Sequence, residues 1–252
     1  MKFNISEAEA WEFGALGIHN PRISPLKPYF DLLERTEGLE GDVLELGVAR
    51  GASIITTGLI LESLGSDRKV VGIDTFSGFP NFSTLDDVSM FDSMYQEDMI
   101  SYQHLERVKR NLILIQIRGS SLQPNQLSTS GDFSSTSLNM VQSKIDSLNL
   151  SHRVSLRVAD LSRSEEWLHP EQKFSLVLFD LDLYQPYAKQ LPSTFSSLVD
   201  DGFIYLDEYY SLKFPGPRLA VRDFVAERSG AKLIKLSEWL DFERWAITKP
   251  KQ

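Results

Sequence analysis

Short apolar runs, each stopped by an acid or a glycine, punctuate the chain. Val43-Leu44-Glu45-Leu46 runs into Gly47, "KVVGIDTF" reaches Asp74 and "RVSLRVAD" ends at Asp160. "KFSLVLFD" ends at Asp180, and "GFIYLDE" ends at Asp207 and Glu208. Runs of this length and apolar content read as strands. "ASIITTGLILESLGS", from Ala52, is long enough for a helix that closes near Gly65, and "LPSTFSSLV" suits a crossover helix. Residues 1–40 read as a helical lead-in, with "ISPLKPYFDLLERTEGLEG" at roughly helical spacing and Gly38 and Gly41 at its close. "AKLIKLS" and "RWAITKP" add two strands with no room for a helix between them, so one runs antiparallel to the rest. Strands alternating with helices imply right-handed crossovers and a doubly wound, mostly parallel α/β sheet of seven strands.

Residues 81–137 interrupt this alternation. "FSTLDDVSMFDSMYQED" and "SLQPNQLSTSGDFSSTS" are polar and serine-rich, and "HLERVKRNLILIQIRG" between them fits a helix, a strand, or one after the other. A long irregular insertion after the second strand serves as a lid or substrate wall, or is a mobile loop without a catalytic part.

In open sheets of this kind ligands bind beyond the carboxyl ends of the strands. Glu45, Asp74, Asp160, Asp180, Asp207 and Glu208 all stand at such ends, so scattered acids fall on one rim. Gly47 and Gly51 lie in the turn from first strand to first helix, where a backbone can approach a ligand closely and helix N–H groups are free. Their G-x-x-x-G spacing departs from the G-x-G-x-x-G of dinucleotide sites, and a tight turn without a ligand is the alternative. Asp74 is placed to accept from two ribose hydroxyls, as in NAD and S-adenosylmethionine sites. Glu45 would repel a pyrophosphate and attract a sulfonium with its α-amino group. Asp160 either accepts from an adenine amino group or caps "LSRSEEWL".

Asp180, Asp207 and Glu208 are oxygen ligands suited to a hard divalent ion such as magnesium, and solvated loop acids are the alternative. If the fourth strand continues to Asp182, that acid projects on the same face as Asp180 and is free to take a proton. The histidines at 19, 104, 152 and 169 show no metal spacing.

Composition narrows the partners. The 252 residues carry a net charge of −9, against the basic footprint of a nucleic-acid binder. No apolar run is long enough to span a bilayer, and "MKFNISEAEAWEFG" lacks the pattern of a secretory signal. The chain has no cysteine, which excludes disulfides, thiolate zinc sites and a cysteine nucleophile, and fits a cytoplasmic location. The length suits one large α/β domain or two small ones, a single domain over 1–252 is the reading taken, and the oligomeric state stays open, a homo-oligomer included.

The residues resemble the macrocin O-methyltransferase family, which methylates sugar hydroxyls of macrolides and aminocoumarins. The resemblance covers roughly Gly41 to Phe224, through "GDVLELGVARGAS", "GIDTFSGFP", "LFDLDLYQPY", "GFIYLDEYY" and "GPRLAVRDF" in that order. It implies a Rossmann-like class I methyltransferase fold with S-adenosylmethionine and magnesium as cofactors. Glu45, Gly47, Gly51, Ser53, Asp74 and Asp160 would then form the cofactor site. Asp180, Asp207 and Glu208 would hold the metal, and Asp182 would be the general base. The chain departs from the family at Glu208, where aspartate is usual, at Leu181, where glycine is expected, and in its serine-rich insertion. The acceptor expected is a hydroxyl of a sugar-like or other small polyhydroxylated molecule. An NAD(P)-dependent oxidoreductase and a non-catalytic metabolite-binding relative are the competing readings.

Overall fold

The computed structural model describes residues 14–163, 167–239 and 242–251. The part of the expected lead-in before residue 14, and residues 164–166 of "LSRSEEWL", lie outside the described residues. Helix α1 (Lys27–Arg35) opens with Pro28 in its first turn and buries Tyr29, Phe30, Leu32 and Leu33. Strand β1 (Asp42–Leu46) leads through the glycine turn to α2 (Ala52–Leu64), which Gly65 closes in the left-handed conformation. Strand β2 (Val70–Asp74) precedes the insertion, and α6 (Leu138–Ser147) returns the chain to β3 (Val154–Val158). Strand β4 (Phe174–Phe179), helix α7 (Tyr184–Ser197), strand β5 (Leu198–Leu206) and helix α8 (Gly216–Glu227) follow, and β6 (Lys232–Trp239) and β7 (Phe242–Thr248) end the fold.

The strands form one seven-stranded sheet in the order β3-β2-β1-β4-β5-β7-β6. β1 to β5 pair in parallel, and β7 runs against both of its neighbours, so the doubly wound sheet has the one reversed strand expected. β1 and β4 lie at the centre, and all six residues of β4 are buried. One apolar layer packs α1 and α2 against one face, with Ile54, Ile55 and Leu61 meeting Val43, Leu176 and Tyr205. The other packs α7 and α8 against the opposite face, with Tyr187, Leu191 and Val221 meeting Leu46, Val177 and Ile204.

The end of the sheet away from the acids is stapled by one buried cation. Arg68, just before β2, donates to Leu33 O (2.7 Å), Thr36 Oγ1 (2.9 Å) and Ser175 Oγ (3.2 Å), and pairs with Glu37. A guanidinium so satisfied tolerates burial. Among the described residues no helix is long and apolar enough to cross a membrane.

Several boundaries differ from the sequence pattern. β4 ends at Phe179, not at Asp182, because Asp182 takes a left-handed conformation with φ 58°. β3 ends at Val158, two residues before Asp160. The crossover helix begins at Tyr184 and carries Pro192 within it, so it is longer than "LPSTFSSLV" suggests. Helix α6 belongs to a stretch whose polar surface hides only two buried residues, Val141 and Ile145.

The insertion is ordered, contrary to the irregular segment expected. A 3-10 turn (Thr84–Asp86) precedes α3 (Met90–Gln96), α4 (Tyr102–Ile117) and the short α5 (Pro124–Leu127). "HLERVKRNLILIQIRG" is therefore helical through Ile117, with Ser101 capping α4 by accepting from His104 N. Phe91, Met94, Ile100, Leu105 and Val108 gather on Leu219 of α8, and Ile115 and Leu127 pack with Leu183 and Phe214. Buried Asp86 accepts from Tyr184 N (2.7 Å) at the start of α7 and from Ser83 N (2.9 Å). The insertion is thus tied to the loop that holds the β4 acids.

Candidate active site

The turn after β1 requires glycine at Gly47. Its φ is +92°, and a Cβ there would lie 1.7 Å from the carbonyl oxygen of Asp180. β1 can therefore end flush against β4. Asp74, at the end of β2, holds the turn from the other side. Its Oδ2 accepts from Val48 N (2.7 Å) and Ala49 N (2.9 Å), and its Oδ1 accepts from Phe76 N (2.6 Å). Thr75 Oγ1 lies a further 3.4 Å from Oδ1, so three to four of a carboxylate's roughly four acceptor positions are taken and at most about one is left rather than capacity for two hydroxyls.

Glu45 lies beneath the turn and is fully buried. Its Oε1 accepts from Ser53 Oγ (2.6 Å), while its Oε2 has no partner among the described residues. Burial pushes its carboxyl well above the usual range; Ser53 opposes this, and the Asp180 and Asp74 charges add to it. At Gly51, which caps α2, a Cβ would meet the Val141 side chain at 2.6 Å, so the close approach there is helix packing. Asp160 Oδ1 accepts from Ser162 N (3.0 Å) and Ser162 Oγ (2.6 Å), and its Oδ2 faces Arg163 Nε at 3.1 Å. That is turn-capping geometry, on a residue that also lines a cleft.

Gly47, Asp74, Asp160, Asp180 and Asp182 line this cleft together with Thr75 and Phe79. Glu45, Gly51 and Ser53 do not reach its wall. A strap of the insertion around Phe133 leaves about 90 Å³ above the floor. Ligand pockets run to roughly 300 Å³ and more, so this cleft is narrow beneath the strap.

A second cavity of about 460 Å³ opens on the far side of the acids, with Asp180, Asp182, Asp207 and Glu208 in its wall. Asp180, Asp207 and Glu208 each offer an oxygen within 4.8 Å of the others. Burial comes first in raising the Asp180 and Glu208 carboxyls well above the usual range, and repulsion within the cluster follows, from Asp207 and Asp182 on Asp180 and from Asp180 and Asp182 on Glu208. Asp182, 9% exposed, is pushed up to about 7 by burial, with Lys213 opposing and Asp207 and Asp86 adding to the rise. Such crowding is what a bound cation relieves.

Other residues of this site carry weaker sequence signals. Tyr187, in "LFDLDLYQPY", places its hydroxyl 2.8 Å from Glu208 Oε2 and 3.0 Å from Phe179 O, so it orients the acid. Arg244 lies 3.8 Å from Asp207, and it lines the second cavity with Lys213 and Asn111. They come from distant segments, and no local spacing marks them.

Residues 14–119 match the family model described as macrocin-O-methyltransferase (TylF). The matched stretch includes Glu45, the glycine turn and Asp74 and stops before Asp160, Asp180, Asp182, Asp207 and Glu208. No curated sequence matches the chain. Among solved structures, the O-methyltransferase NovP is similar at 17% identity and a TM-score of 0.59, over 92% of this chain and 80% of NovP. The calicheamicin methyltransferase CalS11 is similar at 20% identity and a TM-score of 0.60, over 98% of this chain and 94% of CalS11. The Podospora anserina methyltransferase PaMTH1, bound to S-adenosylhomocysteine, aligns at 13% identity and a TM-score of 0.52, over 99% of this chain and 90% of PaMTH1. These likenesses establish the Rossmann-like class I methyltransferase fold. With the resemblance to the macrocin O-methyltransferase family borne out by its family model, the chain is an S-adenosylmethionine-dependent O-methyltransferase.

Proposed function

We propose that the chain methylates a hydroxyl of a sugar-like acceptor, with magnesium held by Asp180, Asp207 and Glu208 and with Asp182 as general base. One observation carries this reading: the three carboxylates converge within 4.8 Å in the wall of the second cavity, where Asp180 also lines the cleft. An all-oxygen set without cysteine or clustered histidine suits a hard divalent ion. When bound, magnesium supplies a Lewis acid that lowers the pKa of an acceptor hydroxyl.

The chain's own residues do the rest. Asp182, a buried carboxylate that lines both the cleft and the second cavity, is placed for proton uptake, and its oxygen takes the hydroxyl proton. Asn111, Lys213 and Arg244 offer donors to the acceptor's other oxygens. Gly47, Asp74 and Asp160 are the cofactor contacts in the cleft, with Glu45, Ser53 and Gly51 supporting the turn from below. The insertion over 81–137 serves as the acceptor wall of a single domain, since Asn111, Ile115, Arg118 and Phe133 face the second cavity. CalS11 is described as a TDP-rhamnose 3'-O-methyltransferase, at 20% identity and a TM-score of 0.50, which supports a sugar as acceptor. The net charge of −9 supports a small-molecule acceptor over a nucleic acid.

The test is calorimetric titration with S-adenosylhomocysteine, with and without magnesium, beside a magnesium titration of Asp180→Asn. The expected result is binding of the nucleoside by wild type and a loss of magnesium affinity in the variant. Binding of NADH in place of S-adenosylhomocysteine overturns the cofactor assignment, and equal magnesium binding by both proteins overturns the metal site.

A further inference from the structure

The cleft and the second cavity share three lining residues: Asp180, Asp182 and Phe133. The acids come from the rim after β4, and the aromatic ring comes from the insertion. A methyl group that passes from a cofactor in the cleft to an oxygen in the second cavity must cross where the two linings meet. The sulfonium that carries it therefore stands beside these three side chains.

The strap that bears Phe133 is fastened to both loops flanking the cleft. Phe79 N donates to Asp132 O (2.9 Å), on the side of the β2 loop. Arg50 donates to Ser135 O (3.3 Å) and Oγ (2.5 Å), and Thr136 Oγ1 donates to Ala49 O (2.5 Å), on the side of the glycine turn. Phe133 itself holds φ 60°, a conformation a bulky side chain adopts only when its surroundings enforce it. Its ring meets Phe79 at 5.0 Å, and Phe79 meets Phe214 at 5.8 Å, both edge to face. Phe79 faces the cleft, Phe214 faces the second cavity, and Phe133 faces both.

We propose that Phe133 is a sulfonium-facing residue, whose ring recognises the cationic methyl donor over its neutral thioether product and keeps water from the point of transfer. This rests on the assignment of the cleft to the cofactor. An aromatic face attracts a desolvated cation more strongly than it attracts a neutral thioether, so the ring favours donor over product and aids turnover by releasing the latter. Transfer from a sulfonium to an oxygen cancels charge, and a dry junction favours it.

The experiment compares binding of S-adenosylmethionine and S-adenosylhomocysteine to wild type, Phe133→Leu, Phe133→Met and Phe133→Tyr, by calorimetry without acceptor. All three replacements meet the same φ requirement as phenylalanine, so backbone strain is held constant. Loss of the ring in Leu and Met should weaken S-adenosylmethionine about 2- to 30-fold, the span of a cation–π contact. S-adenosylhomocysteine should weaken by a clearly smaller factor, as a neutral sulfur forfeits only the weaker thioether–aromatic contact. The Tyr variant should restore the preference. A thermal melt of each variant establishes folding, and Met stands in should Leu not fold. Equal weakening of both ligands, or no change in either, overturns the role of Phe133 while leaving the cleft assignment intact. Failure of wild type to bind either ligand overturns the cleft assignment and the proposal together.

Discussion

Gly47→Ala tests the coupling between the glycine turn and the acid cluster. The added Cβ would lie 1.7 Å from Asp180 O, whereas close carbon–oxygen contacts run to roughly 3.3 Å, so the ends of β1 and β4 must part by about 1.6 Å. That separation strains two ladder hydrogen bonds, Gly47 N to Ile73 O and Asp180 N to Leu46 O, both 3.0 Å. Each is worth about 1 kcal/mol, and the left-handed backbone costs alanine about 1–2 kcal/mol more. The expected loss is about 3–4 kcal/mol, a large share of the stability of a typical domain. Gly65→Ala is the control, because Gly65 has φ +64° and an added methyl group there would meet nothing within 4 Å, so only the backbone cost of about 1–2 kcal/mol applies. Urea unfolding of both variants measures the difference. A displacement of this size at Asp180 should also lower magnesium affinity, and about 1 Å of misplacement can cost on the order of 10²-fold in turnover. Equal stability losses in the two variants, with magnesium binding unchanged in Gly47→Ala, would refute the wedge between turn and acid.

Asp180→Asn should lose metal affinity and turnover together, while Asp182→Asn should keep metal and cofactor binding and lose about 10²–10⁴-fold in single-turnover rate; loss of metal by both variants would make Asp182 a ligand. Asp74→Asn keeps the side-chain volume and removes the charge, so S-adenosylhomocysteine binding should weaken by about 1.5–3 kcal/mol, as read by calorimetry. His104 is 2% exposed, stacks on Tyr210 at 3.9 Å, and has its imidazole pushed down to about 4 by burial. The unfolded state therefore binds the extra proton between about pH 6.5 and pH 4, and this contribution to stability, up to about 3 kcal/mol, is full above 6.5 and lost on acidification. The raised carboxyls of the acid cluster act with the opposite sign, so the measurement is the difference in urea unfolding between wild type and His104→Phe across pH 5–7, and parallel curves would exclude His104 as the source.

The periodicity of the chain was sufficient for the parallel part of the sheet and for the rim. β4 is six apolar residues in a row, and burial on both faces demands such a run, so its end at Asp180 was legible. The same logic located Asp74, Asp207 and Glu208. The insertion defeated that reading. Met90–Gln96 buries only Phe91 and Met94, too few to show a helical stripe, and its stability comes from Leu219, more than a hundred residues away.

What the sequence determined alone was local: strands, the glycine turn, the acids that close each strand, and the absence of cysteine. Those features follow from side-chain polarity and backbone freedom within a few residues. Tertiary structure decided which acids meet and what faces them. Asp182 left the strand and reached the cluster through a left-handed turn, Asp160 capped its own loop, and Phe133 came from the insertion to stand at the junction with Asp180 and Asp182. These outcomes depend on contacts between residues far apart in the chain, whose geometry is set only when the whole core closes.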